Sequence, residues 1–188
     1  MEILVIVLRA ASIAAFAALM LLSPKRERDG LARERSGNRA PVFANIAAFG
    51  LFLPSLIAFA DGLEGQMVLL LAFAGCLLAM TGVALVLRSR VALGPAWSFV
   101  PRADEDVEFV TTGPYRFVRH PIYLGLSVMA MGQALAFSSW PAFLILLSGI
   151  VPTFAWRAYE EERMLSRTFG GRYALYRKRT KMIIPYLL

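Results

Sequence analysis

The chain has one cysteine, Cys76, and one histidine, His120, in 188 residues. A lone cysteine excludes an intramolecular disulfide, and so few soft ligands leave a His/Cys zinc site without donors. Charged residues make up only 18%, against about 25% in a soluble domain. Apolar types reach 58% and the mean hydropathy is +0.60. These values exclude a disordered chain, a secreted disulfide scaffold and an ordinary water-soluble enzyme. There is no G-x-x-x-x-G-K-[ST] loop, no G-x-G-x-x-G after a strand and no internal repeat. Nothing marks partners for His120 in a Ser-His-Asp arrangement. No span carries several charges, which speaks against a transporter or channel. The net charge of +7 belongs, in a chain this apolar, at a membrane surface rather than on nucleic acid.

What is present is a series of apolar runs of membrane-spanning length, about 17–25 residues. They are Ile3–Leu22, with Arg9 inside it, Val42–Ala60, with Pro54 inside it, and Gln66–Leu87. A charge-free stretch from Ile122 to Ala155 is interrupted by Ser138-Ser139-Trp140-Pro141, a turn signal that divides it into two short helices. The expectation is an all-α, polytopic membrane helical bundle with about five transmembrane helices and a cytosolic C-terminal helical segment. Residues 1–188 read as one unit, with three membrane helices in 1–87 and a connector, helical hairpin and tail in 88–188.

The basic residues orient this bundle. Loops 23–41 and 88–120 and the tail from Arg157 hold every Lys and Arg except Arg9, while loop 61–65 and the 138–141 turn hold none. The positive-inside rule then places the N-terminus outside and the C-terminus in the cytoplasm. The charge cluster follows the first apolar run instead of preceding it, so that run reads as a retained anchor and not a signal peptide. Arg9 is expected to snorkel towards the outer interface. The basic run Arg177, Lys178, Arg179 and Lys181 is expected to meet anionic lipid heads.

Polar, aromatic and turn residues concentrate in two stretches on the cytoplasmic side, from Leu93 to Tyr123 and from Arg157 to Tyr186. A site built from them can meet a soluble reagent on one side and a lipid-embedded one on the other. Pro121 suits the first position of a helix, where its missing N–H costs nothing. Arg119 and His120 then stand at that helix mouth, with Tyr123 one turn inside. Arg157 and Glu161 share a helical face four residues apart, Pro152 is expected to kink the helix before them, and Gly170-Gly171 to break it after them. Glu161 is suited to an ammonium, an arginine to a carboxylate, and Tyr and His to the two faces of a planar base. Such a set suits a zwitterionic cosubstrate of the kind of S-adenosylmethionine. Glu160 reads as solvated, and Arg116 as an interfacial anchor.

The motifs themselves carry a resemblance. Leu-Gly-x-x-Trp-Ser from Leu93 is followed by Val-x-x-Gly-Pro-Tyr-Arg-x-x-Arg-His-Pro-x-Tyr-x-Gly from Val110. Arg-x-x-x-Glu-Glu follows from Arg157 and Phe-Gly-x-x-Tyr-x-x-Tyr from Phe169. Over residues 93–186 this resembles the isoprenylcysteine carboxyl methyltransferase family and the related phospholipid N-methyltransferases. The resemblance implies an integral membrane methyltransferase using S-adenosylmethionine at its cytosolic face. It implies that Val107, Glu108, Phe109, Val110, Tyr115, His120, Pro121, Ile122 and Tyr123 line the cofactor pocket. Glu161 would bind the cofactor's amino end and Arg157 the substrate, Arg157 and Glu161 being the catalytic pair. The tail departs from the family pattern at Lys181-Met-Ile-Ile-Pro185.

The implied acceptor is lipid-borne or apolar, with membrane lipids as surroundings, no nucleic acid and no metal; oligomeric state is open. A carboxylate acceptor fits a site poor in titratable groups, because a carboxylate attacking a sulfonium methyl needs no general base. An amine would have to arrive neutral or lose a proton to Glu160 or His120. Phospholipid N-methylation and small-thiol S-methylation stand as alternatives. More distant are an NADPH-dependent sterol-reductase-like enzyme, against which the Arg-x-x-x-Glu-Glu element argues, and a non-catalytic protein on the same scaffold.

Overall fold

The structure, a computed structural model, describes residues 2–21, 40–60, 65–94 and 110–183. Helix α1 is Glu2–Leu21, α2 is Ala40–Ala58 and α3 is Gln66–Leu93. After a 3-10 turn at Gly113–Arg116, α4 spans Pro121–Ala136. A tight turn leads to α5, Trp140–Ile145, which passes through one π turn at Leu146–Ile150 into α6, Val151–Arg179. Among the described residues there is no strand, only an isolated bridge between Val118 and Lys181. Among the described residues four helical stretches are long and apolar enough to cross a membrane, the fourth lying within Trp140–Arg179, which kinks at Gly170; α4 is a shorter apolar helix. The protein is an all-helical integral membrane protein; against about five transmembrane helices expected, the described residues hold four stretches of spanning length and the shorter α4.

The bound of one span is refined. The third span was expected to end at Leu87, but its helix runs on to Leu93, about 42 Å in all at 1.5 Å per residue. The extra turns carry Arg88 and Arg90 beyond the apolar part, and Arg90 Nη1 donates to Leu19 O at 2.8 Å, closing an open carbonyl at the end of α1. The second hairpin arm, expected to kink at Pro152 and run on past Arg157, does continue, as α6. A π turn, closed by Val151 N donating to Leu146 O, leads into Pro152 at the start of α6.

Close approach of α3 and α4 organises the bundle. Gly75 and Gly82 face Gly132 and Gly125, each pair seven residues apart on its own helix. A Cβ on Gly82 would lie 2.5 Å from Gly125 O, and one on Gly132 would lie 2.4 Å from Ala79 N. In lipid, where burial of apolar surface gives little drive between helices, such backbone contact supplies the packing. On its other side α4 joins α2, α5 and α6 around Phe52, Leu56, Leu146, Ile150 and Phe154, all buried.

Helix α4 has 16 residues, about 24 Å, less than a ~30 Å hydrocarbon core. The last carbonyls of a helix this short are better closed by partners from the protein. Arg9 supplies them. Its Nε donates to Ala136 O at 3.0 Å and its Nη2 to Ala60 O at 3.4 Å, with the guanidinium 5.3 Å from the Phe137 ring centroid. Ser139 completes the turn, donating to Ser55 O at 2.9 Å and accepting from Ala142 N. Arg9 is thus bonded to helix-end carbonyls inside the bundle instead of simply snorkelling.

Candidate functional site

Two chain reversals build the site at the end of the bundle where α4 begins. Gly113, at φ 61°, opens the 3-10 turn, and Phe117 N donates back to Pro114 O at 3.1 Å. Far along α6, Gly170 adopts φ 51°, ψ −124°, a backbone state that suits glycine. The helix breaks there, as its Gly-Gly pair suggests, and residues 171–179 fold back. The segment that follows closes on α4: Arg119 N donates to Lys181 O at 2.8 Å and His120 N to Met182 O at 2.9 Å. Two N–H groups just ahead of the helix are thereby satisfied by the returning chain.

Inside this closure lies the first group of candidate side chains. His120 is 6% exposed and its ring stacks on Tyr123 at 5.5 Å between centroids, 7° from parallel. Tyr123 stacks in turn on Phe154 at 5.0 Å. The Tyr123 hydroxyl donates to Glu161 Oε1. His120 Nδ1 is 3.3 Å from Glu161 Oε2, so both carboxylate oxygens are held. The Arg157 guanidinium lies 5.4 Å from the centroid of the Tyr123 ring. His120 and Tyr123 stack on each other and leave no gap for a planar base between them, contrary to the sequence expectation.

The second group centres on Glu162, 5% exposed. Arg119 Nε is 2.5 Å from Glu162 Oε1, Arg177 Nε 3.3 Å from Oε2, and His120 Nε2 3.5 Å from Oε1. Arg119 also donates from Nη1 to Thr180 O and, at 3.3 Å, to Arg177 O. His120 therefore lies between two carboxylates. Burial alone would lower its pKa, but the hydrogen bonds and charges of Glu161 and Glu162 outweigh that and raise it above the ordinary histidine value. Tyr115, 7% exposed, has its phenol pushed well above its usual range by burial first and by the nearby Glu161 charge second. Tyr176 pins this residue, its hydroxyl donating to Tyr115 O at 2.7 Å.

Of the residues singled out from sequence, Tyr115, His120, Tyr123, Arg157 and Glu161 come together. Pro121 is fully buried at the first position of α4, and Ile122 packs into the apolar core on both sides of α4. Both support the helix mouth from below. Val110 is half-buried at the start of the described segment, whereas Val107, Glu108 and Phe109 lie outside the described residues. Glu160, half-exposed and 3.7 Å from Arg163, behaves as the solvated member of the run. Sequence reasoning passed over Glu162 and Arg177, and placed Arg119 at the helix mouth without a partner. Arg177 read as one of a basic run, and only the fold-back at Gly170 brings it and Arg119 together on Glu162. No group of three or more His, Cys, Asp or Glu side chains suited to a metal occurs among the described residues.

The profile of the phospholipid methyltransferase family matches residues 70–172, more than half of the chain and all of this site up to the fold-back. The chain belongs to that family. Relatives include protein-S-isoprenylcysteine O-methyltransferase of Schizosaccharomyces pombe, 31% identical over 86 residues, 46% of this chain and 36% of the relative. The corresponding Saccharomyces cerevisiae protein is 28% identical over 115 residues, 60% of this chain and 48% of the relative. Protein-S-isoprenylcysteine O-methyltransferase B of Arabidopsis thaliana is 31% identical over 87 residues, 46% and 44% of the two chains. The chain spans less than half the length of these relatives. Among solved structures, the eukaryotic intramembrane Ras methyltransferase, an isoprenylcysteine carboxyl methyltransferase, shares the fold with a TM-score of 0.56 at 21% identity. That match covers 80% of this chain and 54% of the other. This member of the phospholipid methyltransferase family thus keeps the family's helical scaffold around the Glu161 and Glu162 cluster.

Proposed function

We propose that the protein transfers a methyl group from S-adenosylmethionine to the carboxylate of a lipid-borne isoprenylcysteine, at the membrane–cytosol boundary. The observation that carries this reading is the Glu161 carboxylate, fixed by Tyr123 and His120 one turn from Arg157. A fixed carboxylate suits the ammonium of an amino-acid end. The Glu161 side chain keeps 18% of its surface open, so such a group has an approach to it. Arg157 offers a planar fork to an acceptor carboxylate and already rests on an aromatic face. The names of the relatives support a carboxyl acceptor. The concentration of basic residues at this end supports a cytosolic site with the N-terminus outside.

S-adenosylmethionine would supply a methyl group on a positively charged sulfur. The chain's residues then have three tasks. Glu161 anchors, Arg157 orients the acceptor oxygen, and the apolar shell of Tyr123, Phe154 and Ile122 keeps water low, which favours a reaction that consumes opposite charges. No proton has to leave a carboxylate acceptor, in keeping with a site whose histidine is already engaged by two glutamates.

The test is calorimetric titration of S-adenosylhomocysteine into purified protein, followed by methyl transfer to a farnesylcysteine acceptor. Saturable binding, weakened at least about tenfold in Glu161→Gln by loss of one charge-assisted contact, is expected. In Arg157→Met the product affinity should stay and turnover should fall. A folded wild type that binds no S-adenosylhomocysteine would refute the reading.

A further inference from the structure

The folded-back arm 171–179 has two faces. Its inner face carries Tyr173, 1% exposed, Tyr176 bonded to Tyr115 O, and Arg177 on Glu162. Arg177 is therefore removed from the basic run expected to meet lipid. The outer face carries Leu175, Lys178 and Arg179, at i, i+3 and i+4, all exposed, with Leu175 at 59%. Exposed Lys181 follows directly. The depth of this face is fixed by contact: Lys181 O receives Arg119 N and Lys181 bridges Val118, two and three residues before the first residue of α4. The apolar helix α4 begins at Pro121, so the three cations lie beside its polar end. A cationic helix face with one apolar side chain at that depth has the chemistry of an interfacial lipid contact.

We propose that Lys178, Arg179 and Lys181 bind the phosphates of anionic phospholipids in the leaflet beside the site, with Leu175 inserted among the chains, and that this contact sets how firmly the returning segment closes the site. The coupling is physical. The same arm holds Glu162 through Arg177, and the segment it leads into holds Arg119 through Thr180 O and His120 through Met182 O. A lipid that steadies the outer face steadies those bonds. The consequence for cosubstrate affinity rests on the methyl-transfer reading; the consequence for the segment's own protection does not.

The experiment places the full chain in nanodiscs of phosphatidylcholine alone or with about 30% phosphatidylglycerol, and follows amide exchange over residues 172–182. Exchange should slow by roughly threefold or more in the anionic discs, return to the neutral-disc rate in about 0.5 M salt, and show no lipid dependence in K178Q/R179Q/K181Q. Soluble glycerol phosphate added to neutral discs should give no protection. S-adenosylhomocysteine should bind tighter in the anionic discs for the wild type only, while the variant keeps the neutral-disc affinity. Equal exchange in the two lipids, a lipid effect that survives in the variant, or protection by the soluble anion would overturn the lipid assignment. An unchanged affinity in discs that do protect the segment would overturn the coupling. If no S-adenosylhomocysteine binds at all, the methyl-transfer reading fails and the exchange data still decide the lipid contact.

Discussion

Glu160, Glu161 and Glu162 are adjacent in sequence, yet the structure assigns them very different energies. Glu162→Gln keeps the volume and one acceptor but removes the charge that faces Arg119, whose side chain is 9% exposed and 2.5 Å away. Breaking a buried ion pair from one side costs about 3–5 kcal/mol because the surviving charge is left uncompensated. Arg119 retains the carbonyls of Thr180 and Arg177, which argues for the lower end. The half-exposed Arg177 adds no more than about 1 kcal/mol. A loss near 3 kcal/mol corresponds to a fall in Tm of about 6–12 °C for a chain of this length. Glu160→Gln, which loses only a half-exposed contact at 3.7 Å to Arg163, should cost about 0.5 kcal/mol or less. The assay is thermal unfolding of the purified variants in one detergent. Arg119→Gln/Glu162→Gln should recover part of the loss, because no buried charge is then left facing an amide. If Glu162→Gln unfolds no earlier than Glu160→Gln, the assignment of Glu162 as the hub of this end is wrong.

Three further outcomes follow from the geometry. Gly82→Leu puts a side chain where a Cβ alone already meets Gly125 O at 2.5 Å, so folded yield should collapse; Gly50→Ala, with nothing within 4 Å, should be neutral or stabilising by up to about 1 kcal/mol, as read by monodisperse yield and Tm. Arg9→Leu should lower Tm, since the carbonyls of Ala136 and Ala60 lose their donor in an apolar layer, at roughly 1.5–3 kcal/mol for a charged hydrogen bond; a rise in Tm would show that Arg9 only snorkels. His120 has its pKa raised in the folded state, so its contribution is fully present below an unfolded value of about 6.5 and is lost as pH rises through the folded value. Tm measured from acid to alkaline pH should therefore decline over that window for the wild type and less so for His120→Gln; parallel curves would refute the pairing.

The helical layout was legible because membrane helices announce themselves by length and apolarity, and because basic loops alternate with loops that hold no Lys or Arg. The seam between α3 and α4 was visible in principle as glycines at 75, 82, 125 and 132. It was not read, because seven-residue spacing shows which face is small without showing what meets it. The first half of the site was legible for a local reason: Arg119, His120, Pro121 and Tyr123 are consecutive or one turn apart, and Arg157 and Glu161 are one turn apart, so secondary structure alone groups them. The second half depends on long-range return of the chain. Neighbouring residues on a helix point about 100° apart, so in a run of three glutamates at most one or two can face a given partner. Nothing local says which. That choice is made by Gly170, whose positive φ sends residues 171–179 back and lets Arg177, Thr180 and Lys181 reach Glu162 and Arg119. A glycine pair reads in sequence only as the end of a helix; here it decides which carboxylate becomes the buried hub.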